Sequence, residues 1–250
     1  MLRSIITLLT DFGTADGYVG EMKGVLLSLA PDAELVDLTH DIAPQDVERA
    51  RLTLARVWRR FPNGTVHLVV VDPGVGSARA ALAVESDGKW LVGPDNGVLS
   101  PALLLPGARA VELMLPSGAS ATFHGRDVFA PAAAALARGE PIEALGPIAD
   151  APVIRRTPEP IRGADGALRG QVIVVDRFGN AVTNLAVLRD GIVSVDGLEL
   201  PLRRTYAEVA EGEPIAVVGS TGFIEIAVRN GDAARVLNLS RGSTVIFRSS

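Results

Sequence analysis

The sequence predicts an α/β N-terminal domain, with a central sheet flanked by helices, followed by a small all-β, barrel-like C-terminal domain. Three observations carry that reading. Short β-rich runs alternate with helical apolar periods through the first part of the chain. A polar stretch holding Pro152, Pro158, Pro160, Gly163, Gly166 and Gly170 then shows no apolar period, which is the composition of a linker. Beyond it come short β-type runs broken by glycine. The boundaries fall at 1–152 for the first domain, 153–169 for the linker and 170–250 for the second domain.

Ile5–Thr10 is a buried strand, and Gly17 to Ala30 carries apolar residues at helical spacing until Pro31 stops it. Glu34–Leu38 is a second strand. Pro44 suits an early helix position; Val47, Ala50, Leu54, Val57 and Trp58 form that helix's apolar stripe, which Phe61-Pro62-Asn63-Gly64 ends. Thr65–Val71 is the clearest strand in the chain. Ala80–Glu85 and Trp90–Val92 flank Ser86-Asp87-Gly88 as a hairpin, and Asp127 to Arg138 reads as a helix closed by Gly139. In the second domain the β-type runs are Val172–Val175, Ile192–Val195, Ile215–Val218, Phe223–Val228 and Ser243–Phe247.

With 250 residues, 48% hydrophobic and 21% charged, the chain can bury a sizeable core with neither metal nor disulfide. A net charge of −5 opposes general affinity for nucleic acid or an acidic membrane surface, so a small-molecule partner is favoured. No span reaches the ~18 apolar residues that a membrane helix needs. The apolar run Ile5–Leu9, after Arg3, is too short for a signal-peptide core. Absence of cysteine removes disulfide and thiolate chemistry and permits a reducing compartment, so the cytoplasm is the expected location.

Ligands in open α/β sheets collect at the carboxyl ends of strands, which singles out Asp11 and Asp72, each closing a β-type run. Gly74-Val75-Gly76 follows a strand, but Arg79 stands where a dinucleotide fingerprint needs its third glycine and no clear helix follows; these glycines shape a turn that lets Asp72 and Arg79 face one cavity. His40 and His67 lie in or beside strand patterns and read as structural imidazoles. His124 sits in Phe123-His124-Gly125-Arg126-Asp127, between a loop and a helix start, where functional groups are commonly carried. No two histidines stand at ligand spacing and no acidic cluster surrounds one, so no metal is expected. No serine lies in a nucleophile elbow.

In Thr10-Asp11-Phe12-Gly13-Thr14-Ala15-Asp16-Gly17-Tyr18, Val71-Asp72-Pro73-Gly74-Val75-Gly76 with Arg79, Gly93-Pro94-Asp95-Asn96-Gly97, Phe123-His124-Gly125-Arg126-Asp127 and Asp176-Arg177-Phe178-Gly179-Asn180, the chain resembles the S-adenosylmethionine hydroxide adenosyltransferases. These are water-using relatives of the fluorinating and chlorinating enzymes. The motifs come in family order and span nearly the whole chain.

The resemblance implies an enzyme that cleaves S-adenosyl-L-methionine with water at the ribose C5′, giving adenosine and methionine without a cofactor. It also implies a homotrimer whose substrate lies between one subunit's N-terminal domain and its neighbour's C-terminal domain. By matching motif positions, Asp11 takes the ribose diol and Asp16 and Tyr18 sit near the substrate. Asp176 and Ser220 hold the methionine end, Phe178 packs on adenine and Asn180 reads its edge. Asp72, Arg79 and His124 match the catalytic set of the water-using group; halogenating relatives carry tyrosine at the place of Asp72. Thr221 and Val228 stand where some relatives have arginine. Two rival readings remain, a halide-using adenosyltransferase and a non-catalytic S-adenosylmethionine or adenosine sensor.

Overall fold

Parallel pairing organises the first part of the chain. Ile5–Thr10 (β1), Glu34–Thr39 (β2), Val66–Val70 (β3), Ala81–Ser86 (β4), Lys89–Pro94 (β5) and Arg109–Glu112 (β6) form one sheet in the order β2-β1-β3-β5-β4-β6. β1 pairs in parallel with β2 on one side and with β3 on the other. The chain therefore leaves β1 in one direction and returns in the opposite one. At such a reversal the connections at the carboxyl ends diverge and leave a crevice. The computed structural model describes residues 3–186 and 190–249.

Alternation along the strands sends successive side chains to opposite faces. Ile6 and Leu8 of β1 and Val66, Leu68 and Val70 of β3 join Met22 and Leu26 of the helix Tyr18–Leu29 (α1) in one apolar cluster. Leu9, Val69 and Val71 join a second cluster, with Ala50 and Leu54 of the helix Val47–Val57 (α2) and Ala102 of the helix Ser100–Leu103 (α3). The helix Ala130–Ala137 (α4) adds Ala133, Ala134 and Leu136 to the first. Met22, Leu26 and Leu54 are fully buried, each contributing about 1.5–3 kcal/mol by leaving water.

Three details differ from the pattern of the sequence. Pro44 lies ahead of α2, not within it: Asp46 caps that helix by accepting from Arg49 N at 2.9 Å, so the first helical residue is Val47. The expected helix from Asp127 begins with a π-helical turn, Gly125–Phe129, before α4 takes over. Edge strand β6 went unforeseen because it is four residues long, too short to show a period.

The second part closes into a barrel. Leu168–Val175 (with Ile161–Arg162 before it as β7, this is β8), Ala181–Ala186 (β9), Gly191–Val195 (β10), Leu198–Arg203 (β11), Pro214–Val218 (β12), Phe223–Val228 (β13) and Thr244–Ser249 (β14) follow in the order β14-β10-β11-β12-β13-β9-β8. β14 also pairs with β8, which closes seven strands on themselves and removes free edges, while β7 lies outside on β8. Val172, Leu185, Val193, Leu200, Ile224, Ile226, Val245 and Phe247 fill its core. β9 and β11 escape the sequence reading. In β9 the reason is visible: Thr183 and Asn184 are buried polar residues, satisfied by Ile224 O and Pro158 O at 2.9 and 2.7 Å. Between β13 and β14 lies a short helix, Ala233–Val236 (α5). Internal contacts divide the chain into the units Met1–Arg156 and Thr157–Ser250. Among the described residues no helix is long and apolar enough to cross a membrane.

Candidate active site

Asp72 stands two residues beyond β3, where the chain enters a tight turn: Val75 N donates to Asp72 O at 3.3 Å, Ser77 N to Gly74 O at 3.1 Å and Gly74 N to Asp72 Oδ1 at 3.2 Å. The turn requires Gly76. Its φ is +75°, and a Cβ there would lie 2.4 Å from Ala121 O in the loop that leads to His124. Glycine thus lets the Asp72 turn touch the histidine loop. Arg79 then folds back over the turn: its Nε donates to Asp72 Oδ1 at 2.9 Å and its Nη2 donates to Asp72 Oδ2, a bidentate pair. The same Nη2 lies 3.1 Å from His124 Nδ1, and the guanidinium sits 5.2 Å over the Phe129 ring. Both charged side chains are nearly buried, at 10% and 5% exposure.

That contact sets the chemistry of His124. A guanidinium has donors and no acceptor, so Nδ1 must present its lone pair and the ring proton resides on Nε2. His124 is buried. Burial, and next the positive Arg79, hold its pKa below the ordinary 6.5, against the opposing pull of Asp72 and Asp127. A neutral imidazole with a donor at Nε2 therefore stands beside a guanidinium and a carboxylate. Such a trio can grip one water by both donation and acceptance.

Asp11 follows β1, the parallel neighbour of β3, with Thr10 opposite Val70. Its Oδ2 accepts from Gln45 N at 2.7 Å. Gln45 is exposed and adopts φ +68°, a left-handed conformation uncommon for its residue type; nothing in the sequence announces that role. Phe12, Tyr18 and Phe123 pack as a trio with ring centroids 5.4–6.0 Å apart, joining the Asp11 turn to the residue before His124. Tyr18 remains half exposed at the start of α1, and Asp16 is exposed. Asn96 secures the same edge: its Nδ2 donates to Val71 O at 2.9 Å, immediately before Asp72. His40 and His67 sit outside the triad, bonded at Nδ1 to Thr10 Oγ1 and Thr7 Oγ1 at 2.8 and 2.7 Å.

In the barrel unit, Asp176–Asn180 forms the turn from β8 to β9. The Asp176 carboxylate accepts from Phe178 N, Asn180 N and Asn180 Nδ2 at 2.8, 2.9 and 3.0 Å, so much of its capacity goes to shaping that turn. Gly179 has φ +82°, and a Cβ there would lie 2.2 Å from Asp232 Oδ1. Asn180 is buried, whereas Phe178 projects with 76% exposure, so it takes no part in the barrel core. Ser220 lies in the turn from β12 to β13. On the β9–β13 ladder Ala181 faces Ile226 and Ala186 faces Phe223, so Ser220 extends the strand the other way from Asn180. Tyr206 and Glu225 were not singled out by any motif. Tyr206 donates to Glu225 Oε2 at 2.9 Å, and burial, then that bond, push its phenol up to about 12, with Asp176 adding to the rise.

An open α/β sheet bearing a nearly buried carboxylate–guanidinium–imidazole set at its switch point has the make-up of a small-molecule enzyme. Models of the SAM hydroxide adenosyltransferase N-terminal and C-terminal domains match residues 6–146 and 170–246. The chain belongs to this family. A protein of Thermus thermophilus named (R)-S-adenosyl-L-methionine hydrolase is 45% identical over 96% of this chain and 98% of its own length. A Salinispora tropica protein of the same name is 41% identical over 95% of each. The crystal structure of an uncharacterized conserved protein from Thermotoga maritima superposes with a TM-score of 0.88 at 35% identity, covering 97% of this chain and 99% of that one. Fluorinases stand further off, at 29% identity for the one from Actinoplanes sp..

Proposed function

We propose that the chain hydrolyses S-adenosyl-L-methionine to adenosine and L-methionine, with water attacking the ribose C5′. The observation that carries this reading is the contact set Asp72–Arg79–His124 beyond β3. The relatives named as hydrolases support the substrate and the reaction.

The sulfonium leaves as a neutral thioether, so no general acid is needed. A water oxygen forms the bond to C5′, the C–S bond breaks with its electron pair going to sulfur, and the water proton passes to a base. The difficulty is alignment and nucleophile strength. Holding water in line at attack distance contributes up to roughly 7–11 kcal/mol in the best model systems. His124 Nε2–H donates to the water oxygen and Asp72, with lone pairs left beyond its Arg79 bonds, accepts the proton. Arg79 stabilises the developing hydroxide and holds both partners. Metal and cofactor have no step in this scheme.

Asp11 binds the ribose diol, its orientation fixed by the Gln45 amide, and Asp16 and Tyr18 border the substrate. Phe178 stacks on adenine, which gives its exposed ring a partner, and Asn180 reads the adenine edge. Ser220 and Asp176 take the methionine end. The α/β residues of one subunit and the barrel residues of its neighbour complete each site in a homotrimer, and the protein works in the cytoplasm. Incubating purified protein with S-adenosylmethionine and chromatographing the products tests the reading. Adenosine and methionine in equal amounts support it. Unchanged substrate points to a sensor, and 5′-chloro-5′-deoxyadenosine to a halide-using enzyme, which the carboxylate of Asp72 disfavours by repelling an anion.

A further inference from the structure

We infer that His40, outside the triad, is a positioning residue that grips the Thr10–Gly13 turn at both ends and so holds Asp11 in its substrate-binding geometry; the inference rests on Asp11 being the ribose ligand. A register shift between Leu8 and Leu9 sets Leu9 opposite Thr39, which brings the residue after β2 alongside the residue that ends β1. His40 uses that position twice. Its Nδ1 bonds Thr10 Oγ1 at 2.8 Å, and its carbonyl accepts from Gly13 N at 2.9 Å. Asp11 and Phe12 lie between the two grips.

The direction of the chain of bonds follows from its donors. Phe12 N can only donate, and it does so to Thr10 Oγ1 at 3.3 Å. The hydroxyl keeps a second lone pair, so the tautomer is set at the other ring nitrogen: the Asp37 carboxylate beside Nε2 favours the proton there, leaving Nδ1 bare to accept the Thr10 hydroxyl proton. Nε2 lies 3.1 Å from Asp37 Oδ1, and Asp37 Oδ2 accepts from Lys23 Nζ at 2.6 Å. Thr10 is fully buried and His40 is 6% exposed, so neither has a competing water partner to replace this bond. A surface ion pair thus backs the imidazole that holds the turn. Gln45 N fixes the Asp11 carboxylate itself, while His40 fixes the backbone that carries it.

The test measures KM, kcat and melting temperature on the purified full chain for Asp11→Asn, His40→Phe, His40→Asn, Thr10→Val and the double variant His40→Phe/Thr10→Val. His40→Phe and Thr10→Val should each raise KM roughly five- to tenfold, the scale of one lost hydrogen bond, with kcat changed by less than about twofold. The double variant should be no worse than the poorer single one, because both remove the same bond. His40→Asn, whose amide oxygen stands near the place of Nδ1, should recover most of the loss. A lower melting temperature with unchanged KM in both Thr10→Val and His40→Phe would make the role purely structural and overturn the inference; so would an effect confined to kcat. Should His40→Phe fail to fold, Thr10→Val and His40→Asn decide alone. An unchanged KM in Asp11→Asn removes the ribose reading and the inference with it, whereas a raised KM there beside an unaffected Thr10→Val removes the inference only.

Discussion

Arg79 carries no acceptor, and that property orders the three residues around it. By donating to Asp72 through two nitrogens and to His124 Nδ1 through one of them, it fixes the imidazole tautomer and faces the carboxylate toward the same point. Asp72→Ala, Arg79→Ala and His124→Ala should each lower kcat by ~10²–10⁴ while leaving S-adenosylmethionine affinity largely intact. In the proposed mechanism the three act as a unit, so double variants should be barely worse than the worst single one, as single-turnover kinetics will read. Asp72→Ala should also lower the melting temperature, since it leaves a buried guanidinium unpaired, a loss of about 3–5 kcal/mol for buried pairs. A proton on His124 Nδ1 would point at the guanidinium and break the set, so in the proposed mechanism the neutral ring is the active form. Its pKa is depressed, so activity should be full above 6.5 and fall only as pH drops through a value beneath it. A kcat profile with its acid limb at or above 6.5 would place the titration elsewhere.

At the scale of elements, two turns carry the site, and each depends on a backbone that only its surroundings explain. Gly76→Ala would push a Cβ onto Ala121 O in a left-handed conformation; it should lower kcat at least tenfold, on the scale of a misplaced reacting group, and a variant with wild-type kcat would show that the turn does not set the triad. Much of this was legible in the sequence: Asp11 and Asp72 closed β-type runs, and both lie just beyond parallel neighbours in the sheet. The hairpin around Ser86-Asp87-Gly88 was likewise visible, with Ala81–Ser86 and Lys89–Pro94 paired antiparallel. Phe178 stands in a motif of the sequence, and the structure leaves its ring exposed, outside the barrel core. What escaped were features made by distant partners. Gln45 aims its amide at Asp11 through a positive φ, and Tyr206 meets Glu225 across 19 residues; neither has a local pattern. Strand β9 escaped because its buried Thr183 and Asn184 are satisfied by backbone carbonyls elsewhere, which breaks the apolar alternation.

For the whole molecule, acid stability follows from His67. It is fully buried against Trp58 and Phe61, and burial, then the charge of Lys89, lower its pKa to about 4. Unfolded chains bind this proton below 6.5 and the native protein does not until about 4, so stability should fall as pH drops through that window, by on the order of 3 kcal/mol. His67→Leu should flatten that slope in melts taken from pH 7 to 4; an unchanged slope would assign acid lability to other groups. Assembly is the larger matter. If barrel residues of one subunit complete the α/β site of another, activity should vanish with dissociation, and sedimentation alongside assay at falling concentration will show whether monomers turn over substrate. The central claim is that water attacks C5′, and running the reaction in ¹⁸O-labelled water tests it most directly: the label should appear in the adenosine 5′-hydroxyl and nowhere in methionine, whereas label in methionine, or accumulation of 5′-chloro-5′-deoxyadenosine when chloride is present, would contradict it.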